Sequence, residues 1–270
     1  MLHPLLVVFL VDAGIQVLAY AISAPLKTER FYDLSGSLTY MACFLTALLY
    51  RTDGVPSSSI HPRPIIAVAL SLVWCSRLAK SVPVCICVDW QIAWVWFTGL
   101  AVYFCATNPT QLQPALNALD IVGIVIWVFG FGVEAVSDYQ KNDFKNKNPT
   151  KFIQSGLWSW SRHPNYFGEV VLWIGMFLLC VNGFTDGWSW FGIASPVFVF
   201  CLLYFGSGVK LLEESSDKRY GHLPEYQAYK ARTSIFVLWP PKKGMQTLPT
   251  AAAAGEGQAQ QTRPDGYGSV

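Results

Sequence analysis

The sequence predicts an all-α fold, a polytopic transmembrane bundle of about seven helices, and three observations carry that prediction. Of 270 residues, 53% are hydrophobic and only 13% are charged, against roughly 25% charged in a soluble domain. Aromatic side chains make up 15%, a load that suits membrane–water interfaces as well as cores. Lys and Arg gather beyond some apolar runs and are missing beside others, as they do in chains that cross a bilayer repeatedly. The formal charge of +2 is too small for a nucleic-acid footprint.

Seven apolar stretches can be marked, at Leu5–Ala24, Leu34–Tyr50, Ile65–Leu78, Val88–Ala106, Leu119–Val136, Phe167–Phe184 and Trp190–Val209. The first lacks a basic leader and carries Asp12 and Gln16, so it reads as a retained span and not as a signal peptide. The third is short. The Ser137–Asn165 connection holds Lys141, Lys145, Lys147, Lys151 and Arg162, and seven more Lys or Arg follow the last span up to Lys243. Two spans separate these regions, so both are expected on the cytosolic face. The connections Thr107–Ala118 and Asn182–Ser189 have neither Lys nor Arg, as the opposite face requires. Arg51 and Arg63 then fall on the outer side, against the rule.

The expected organisation is an N-terminal set of helices over 1–118, a second unit over 119–241 and a disordered cytosolic tail over 242–270. The tail is rich in Gly, Ala, Gln and Pro without apolar periodicity. Before it, "LLEESSDKRYGHLPEYQAYKARTSIFVLWPP" reads as one short amphipathic helix on the membrane surface. Cys85 and Cys87 have no second pair to make a zinc site, so no metal is expected, and most of the seven cysteines read as small buried hydrophobes.

The chemistry concentrates after residue 119. Glu134, Asp138 and Lys141, spaced four and three apart, line one helical face. Two readings are open: an ion-paired helix end reaching for the interface, or the wall of a polar pocket. In "RHPNYFGE", Pro164 suits a first helical turn with His163 as N-cap. The helix's free amides then point to the cytosolic face beside Arg162, an arrangement that binds anions such as phosphate. Asn165 and Glu169 follow one turn apart on one side, with Glu169 about 7–8 Å deeper than the helix start. The plainer alternative is a structural Glu169–Arg162 pair. Lys141, Lys145, Lys147 and Lys151 are candidates for nucleotide phosphates, and a basic loop solvated beside acidic lipid is the competing reading. No Gly-rich phosphate loop follows a strand, so a nucleotide would bind between helices.

These segments, "EAVSDYQKNDFK", "GLWSWSRHPNYFGE" and "SGVKLLEE…EYQAYKARTS…WPP", resemble the steroid 5α-reductase C-terminal-like family, and most closely its uncharacterised membrane branch. "YDLSGSLTY" and "WCSRL" resemble N-terminal landmarks of that branch. The resemblance implies a membrane reductase that uses NADPH to reduce an activated C=C bond in a steroid, sterol or other lipid. It implies cofactor contacts from Asp138, Asn165, Glu169, Arg162, Lys151 and Tyr229, with His163 and Tyr166 as wall residues, beside Glu134 and Lys141 on the same helical face.

Isoprenylcysteine carboxyl methyltransferases share an Arg-His-Pro-x-Tyr-x-Gly run, so Glu213, Glu214, Tyr226 and Tyr229 fit a SAM-dependent methyltransferase as well. A non-catalytic member that keeps the scaffold is a third reading. It is prompted by "AKSVPVCICVDWQ" after Leu78, short and apolar where relatives carry a longer charged connection. Enone reduction also needs an acid that polarises the carbonyl. The candidates are Tyr40 with Asp33 or Gln16, so Tyr40 and Glu169 are the expected catalytic residues.

Overall fold

The structure is a computed structural model, and it describes residues 2–26, 32–50, 59–78, 88–206 and 208–242. Nine α-helices lie within them: α1 Pro4–Leu26, α2 Tyr32–Leu49, α3 Pro62–Leu78, α4 Val88–Thr107, α5 Ala118–Lys147, α6 Pro164–Cys180, α7 Ala194–Cys201, α8 Val209–Tyr220 and α9 Pro224–Arg232. Helices α1–α7 fall on the seven apolar stretches. Four helical runs, Pro4–Ser23, Ala118–Lys147, Pro164–Gly183 and Trp188–Tyr220, are long and apolar enough to cross a membrane. Among the described residues there is no strand, only an isolated bridge between Ser161 and Ser234. Arg51, Cys85, Cys87, most of the short connection after Leu78 and the tail beyond Lys242 lie outside the described residues.

Helix α5 starts where Asn117 caps the Leu119 amide and Asp120 reaches back to the Asn117 amide, a reciprocal arrangement that satisfies two free donors. It runs on past Val136 to Lys147, so the apolar stretch and the charged segment after it are one rod. Lys145 and Lys147 in its last turn suit the negative helix end.

Helix α6 packs antiparallel on α5 through glycines seven apart in each. A Cβ on Gly130 would stand 2.4 Å from the Leu172 nitrogen and 2.6 Å from the Gly168 oxygen, and one on Gly123 would stand 2.5 Å from the Leu179 nitrogen. Gly168 and Gly175 meet the backbone of α5 in the same way. Only glycine admits two backbones this closely, the packing mode expected in lipid. Helices α1 to α4 pack with α6 and α7 around Tyr40, Phe44, Trp74, Tyr103 and Trp173.

On the side opposite the charged connection, Arg63 is fully buried and bridges both oxygens of Asp120, at 2.7 and 3.0 Å, while meeting the Pro114 and Ala115 carbonyls. This accounts for an arginine on the face expected to be poor in positive charge: Arg63 is neutralised inside the protein.

The single amphipathic helix expected after the last span is two helices. Gly221 closes α8, and Pro224 opens α9 at its first position; a proline is tolerated there and not in a helix interior. Tyr220, Tyr226 and Tyr229 form a second small core with Phe152 and Leu223. The chain after α9 runs beside residues 160–162, with the Arg162 amide on the Ser234 carbonyl at 2.8 Å and the Ser161 hydroxyl on the Phe236 carbonyl at 2.7 Å.

Candidate functional site

His163 caps α6 and Pro164 is its first residue, as the sequence predicts. The His163 ring makes no cap to its own helix: Nε2 lies 2.9 Å from Glu213 Oε1, and the imidazole stacks on the Tyr166 ring in the first turn of α6 at 5.7 Å. Arg162 forms an ion pair with the other oxygen of Glu213, and Lys230 from α9 stands 3.4 Å from it. Lys230 also pairs with Asp217 at 2.6 Å. The predicted anion seat at the α6 start therefore already holds a carboxylate supplied by α8. The Glu169–Arg162 pair considered from sequence does not form, because Arg162 turns to Glu213.

Deeper in, Glu134 and Asp138 sit one turn apart on α5, and both pair with Arg77 from the last turn of α3, Asp138 at 2.6 Å. Glu134 is 3% exposed, and its Oε2 and the Arg77 Nε have no hydrogen-bond partner. Glu169, half-buried on α6, is in electrostatic reach of both Arg77 and Asp138. Two carboxylates thus pair with one guanidinium, and a third lies in its electrostatic reach. No hydrogen bond or ion pair ties the side chain of Asn165 or Glu169 to another described residue. Tyr166 is in electrostatic reach of Glu169 and Asp138, so its ring links the outer cluster to the inner one.

The remaining residues separate. Lys141 lies over the Trp158 ring at 5.3 Å. Lys151 has an exposed side chain, while its carbonyl accepts from Lys145 at 2.7 Å; Lys145 also reaches the Tyr220 hydroxyl, and Lys147 pairs with Asp143. Tyr229 donates to the Trp158 carbonyl at 2.8 Å. Burial pushes its hydroxyl well up from the ordinary tyrosine value, so it stays a neutral donor. Tyr40 is fully buried and donates to the Trp94 carbonyl at 3.1 Å, within electrostatic reach of Glu169. Gln16 donates to Thr39 Oγ1, and the Asp33 side chain lies outside the described residues.

Sequence reasoning missed Arg77. Its one signal was an arginine closing an apolar run in "WCSRL", and nothing along the chain said that it faces α5.

Helices long and apolar enough to cross a membrane, with a carboxylate–guanidinium cluster between them and Glu213 held by Arg162 and His163 at the start of α6, define a helical membrane protein with clustered charged side chains between its helices. The chain belongs to the DUF1295 family, described as a protein family of unknown function and related to the steroid 5α-reductases, whose model matches residues 84–233. It is 33% identical to the bovine 3-oxo-5-alpha-steroid 4-dehydrogenase 1 (Bos taurus) over 31% of each chain. It is 25% identical to an uncharacterized protein of Schizosaccharomyces pombe over 52% of this chain and 46% of that one. It is 27% identical to a probable 7-dehydrocholesterol reductase of Acanthamoeba polyphaga mimivirus, over 34% of this chain and 25% of that one. Each match spans less than half of the relative's length. No solved structure matches.

Proposed function

We propose that this protein is a membrane-embedded reductase that adds a hydride and a proton across an activated C=C bond of a steroid, sterol or other lipid, with NADPH as hydride donor. One observation carries the reading: a polar mouth and a polar interior meet on α6. Outside, Arg162 and His163 hold a carboxylate, the charge type of a phosphate. Inside, the Glu169 side chain, without a hydrogen-bond partner among the described residues, is in electrostatic reach of Arg77 and Asp138, and Asn165 stands one turn before it on the same helix. The names of the bovine and mimivirus relatives, which are reductases or dehydrogenases of steroids and sterols, support the same class.

In this reading the residues of 119–241 hold the nucleotide. Arg162 and Lys151 face its phosphates, Asn165 and Glu169 hold the amide end, Asp138, Glu134 and Lys141 line the approach, and Tyr229 fastens α9 over the site. When bound, NADPH supplies the hydride. The helices of 1–118 hold the lipid. Tyr40 polarises its carbonyl by exchanging the Trp94 carbonyl for that of the substrate. The glycine contacts between α5 and α6 fix the distance from Glu134 to Glu169, so the interior cluster is positioned by backbone packing. The charged end of the bundle and α8–α9 face the cytosol, with the protein in the endoplasmic reticulum or another endomembrane.

The test titrates NADPH and S-adenosylmethionine in parallel on detergent-purified protein. NADPH binding that is lost in Glu169→Ala and in Asn165→Ala is the expected result. Binding of S-adenosylmethionine alone, or NADPH binding unchanged in both variants, overturns the proposal.

A further inference from the structure

Glu213 stands where an anionic ligand would. Its Oε1 lies 2.9 Å from His163 Nε2, and its Oε2 pairs with Arg162 Nη1. Both partners belong to the chain that opens α6, and the His163 side chain leaves the first turn of that helix uncapped. The seat is only partly used. Glu213 pairs with one terminal nitrogen of the guanidinium, and Arg162 Nε, shut off from solvent, has no hydrogen-bond partner among the described residues. Arginine binds carboxylates and phosphates best through two parallel bonds, and a phosphate then has a further oxygen to offer His163. Glu213 is a poorer fit to this arginine than a phosphate group would be.

The acid also has a second partner at hand. Lys230, on α9, stands 3.4 Å from the same Oε2 that meets Arg162. Asp217, one turn along α8 from Glu213, holds that ammonium at 2.6 and 2.9 Å and accepts from the Tyr226 hydroxyl at 3.2 Å. Tyr229 ties α9 to the Trp158 carbonyl. The α8–α9 cap can therefore stay in place while the Glu213 side chain alone turns from Arg162 to Lys230. Charge sets what this does. Arg162 and Lys230 are balanced by Glu213 and Asp217, and the seat around Arg162 becomes positive once Glu213 leaves it.

We propose that Glu213 is a built-in competitor for the anion seat of α6: it fills the seat in the empty protein and is displaced to Lys230 by a phosphate group that takes Arg162 and His163. The identity of that ligand rests on the reductase reading, which sets nucleotide phosphates at Arg162; the competitor is what regulates their entry. It also selects. A simple carboxylate makes no better bonds than Glu213, which is tethered beside the seat at high effective concentration, whereas a phosphate does.

The test titrates inorganic pyrophosphate, with acetate for comparison, into the full chain in detergent by calorimetry, without nucleotide. The wild type is expected to bind pyrophosphate and not acetate. Glu213→Gln, which keeps the size and removes the charge, should bind pyrophosphate about tenfold more tightly, the size of one charge-assisted hydrogen bond, while melting at a lower temperature than the wild type. A purely structural Glu213 would lose stability and gain no affinity. Glu213→Asp, with the charge on a shorter arm, should shift affinity the same way and decides the matter where the glutamine variant does not fold. Lys230→Met should weaken pyrophosphate binding more in the wild type than in Glu213→Gln, because only the wild type has an acid to rehouse. Unchanged or weaker pyrophosphate binding in the Glu213 variants overturns the proposal, as does no binding by any form, or an equal effect of Lys230→Met in both backgrounds. NADPH that fails to bind while pyrophosphate binding tightens in Glu213→Gln refutes the nucleotide and leaves the competitor. NADPH that binds wild type and Glu213→Gln alike refutes the competitor and leaves the reductase reading.

Discussion

Replacing Gly130 by alanine tests whether the α5–α6 contact sets the site. The new methyl would stand 2.4 Å from the Leu172 nitrogen and 2.6 Å from the Gly168 oxygen, about 1 Å short of ordinary van der Waals contact. Both obstacles are backbone, so no side chain can swing aside and the helices must part. Overpacking of this kind costs about 1–3 kcal/mol. Alanine's better helix propensity returns at most about 1 kcal/mol, so the net sign is destabilising. Gly132, two residues on in the same helix, has nothing within 4 Å of a built Cβ, and Gly132→Ala gains propensity without a clash. At about 2–4 °C per kcal/mol, Gly130→Ala should melt several degrees below wild type and Gly132→Ala at or above it. The assay is thermal unfolding in detergent, followed with a thiol-reactive dye that reports exposure of the buried Cys43, Cys75, Cys105 and Cys180. Parting the helices also moves Glu169 from Asp138, so NADPH affinity should fall in Gly130→Ala alone. Equal melting temperatures for the two variants would refute the backbone-contact reasoning.

Two further expectations concern the ends of the bundle. Arg63→Lys keeps the charge but should cost about 1–3 kcal/mol, the penalty for buried acceptors left without a donor, since an ammonium cannot reach both Asp120 oxygens and two carbonyls at once; thermal melts in which Arg63→Lys matches wild type would remove the clamp from the account. Burial pushes Tyr226 up to about 12 and raises Tyr229 further, whereas in the unfolded chain both ionise near 10. Their contribution to the α8–α9 cap is therefore present below pH about 10 and is lost as the pH climbs towards the folded values. Alkaline titration of tyrosinate absorbance should show a late phase that shrinks in Tyr226→Phe/Tyr229→Phe.

The start of α6 was legible because a local rule governs it: Pro164 fixes a helix beginning whatever surrounds it, and His163 then falls at the cap. The destination of the His163 ring was not legible, because Glu213 stands fifty residues away and its approach depends on how α8 leaves the last span. Arg63 shows the same limit from the other side. Counted as a loop charge it contradicts the orientation; paired with Asp120 it carries no net charge to count. The break between α8 and α9 was readable in Gly221 and Pro224 but was outweighed by the amphipathic pattern that spans them.

By itself the sequence determined that this is a helical membrane protein, where its apolar helices fall, and that α6 opens at Pro164 with His163 as its cap. Composition, hydropathy and capping are properties of short segments, and they survive any arrangement of those segments. Only the tertiary structure decided that Arg77 meets Glu134 and Asp138, that Glu213 fills the seat, and that Asp12 is left without a hydrogen-bond partner. Each depends on which helix faces which. For α5 and α6 that choice is set by glycines seven residues apart that let the two helices touch backbone to backbone, a pairing no single segment can express.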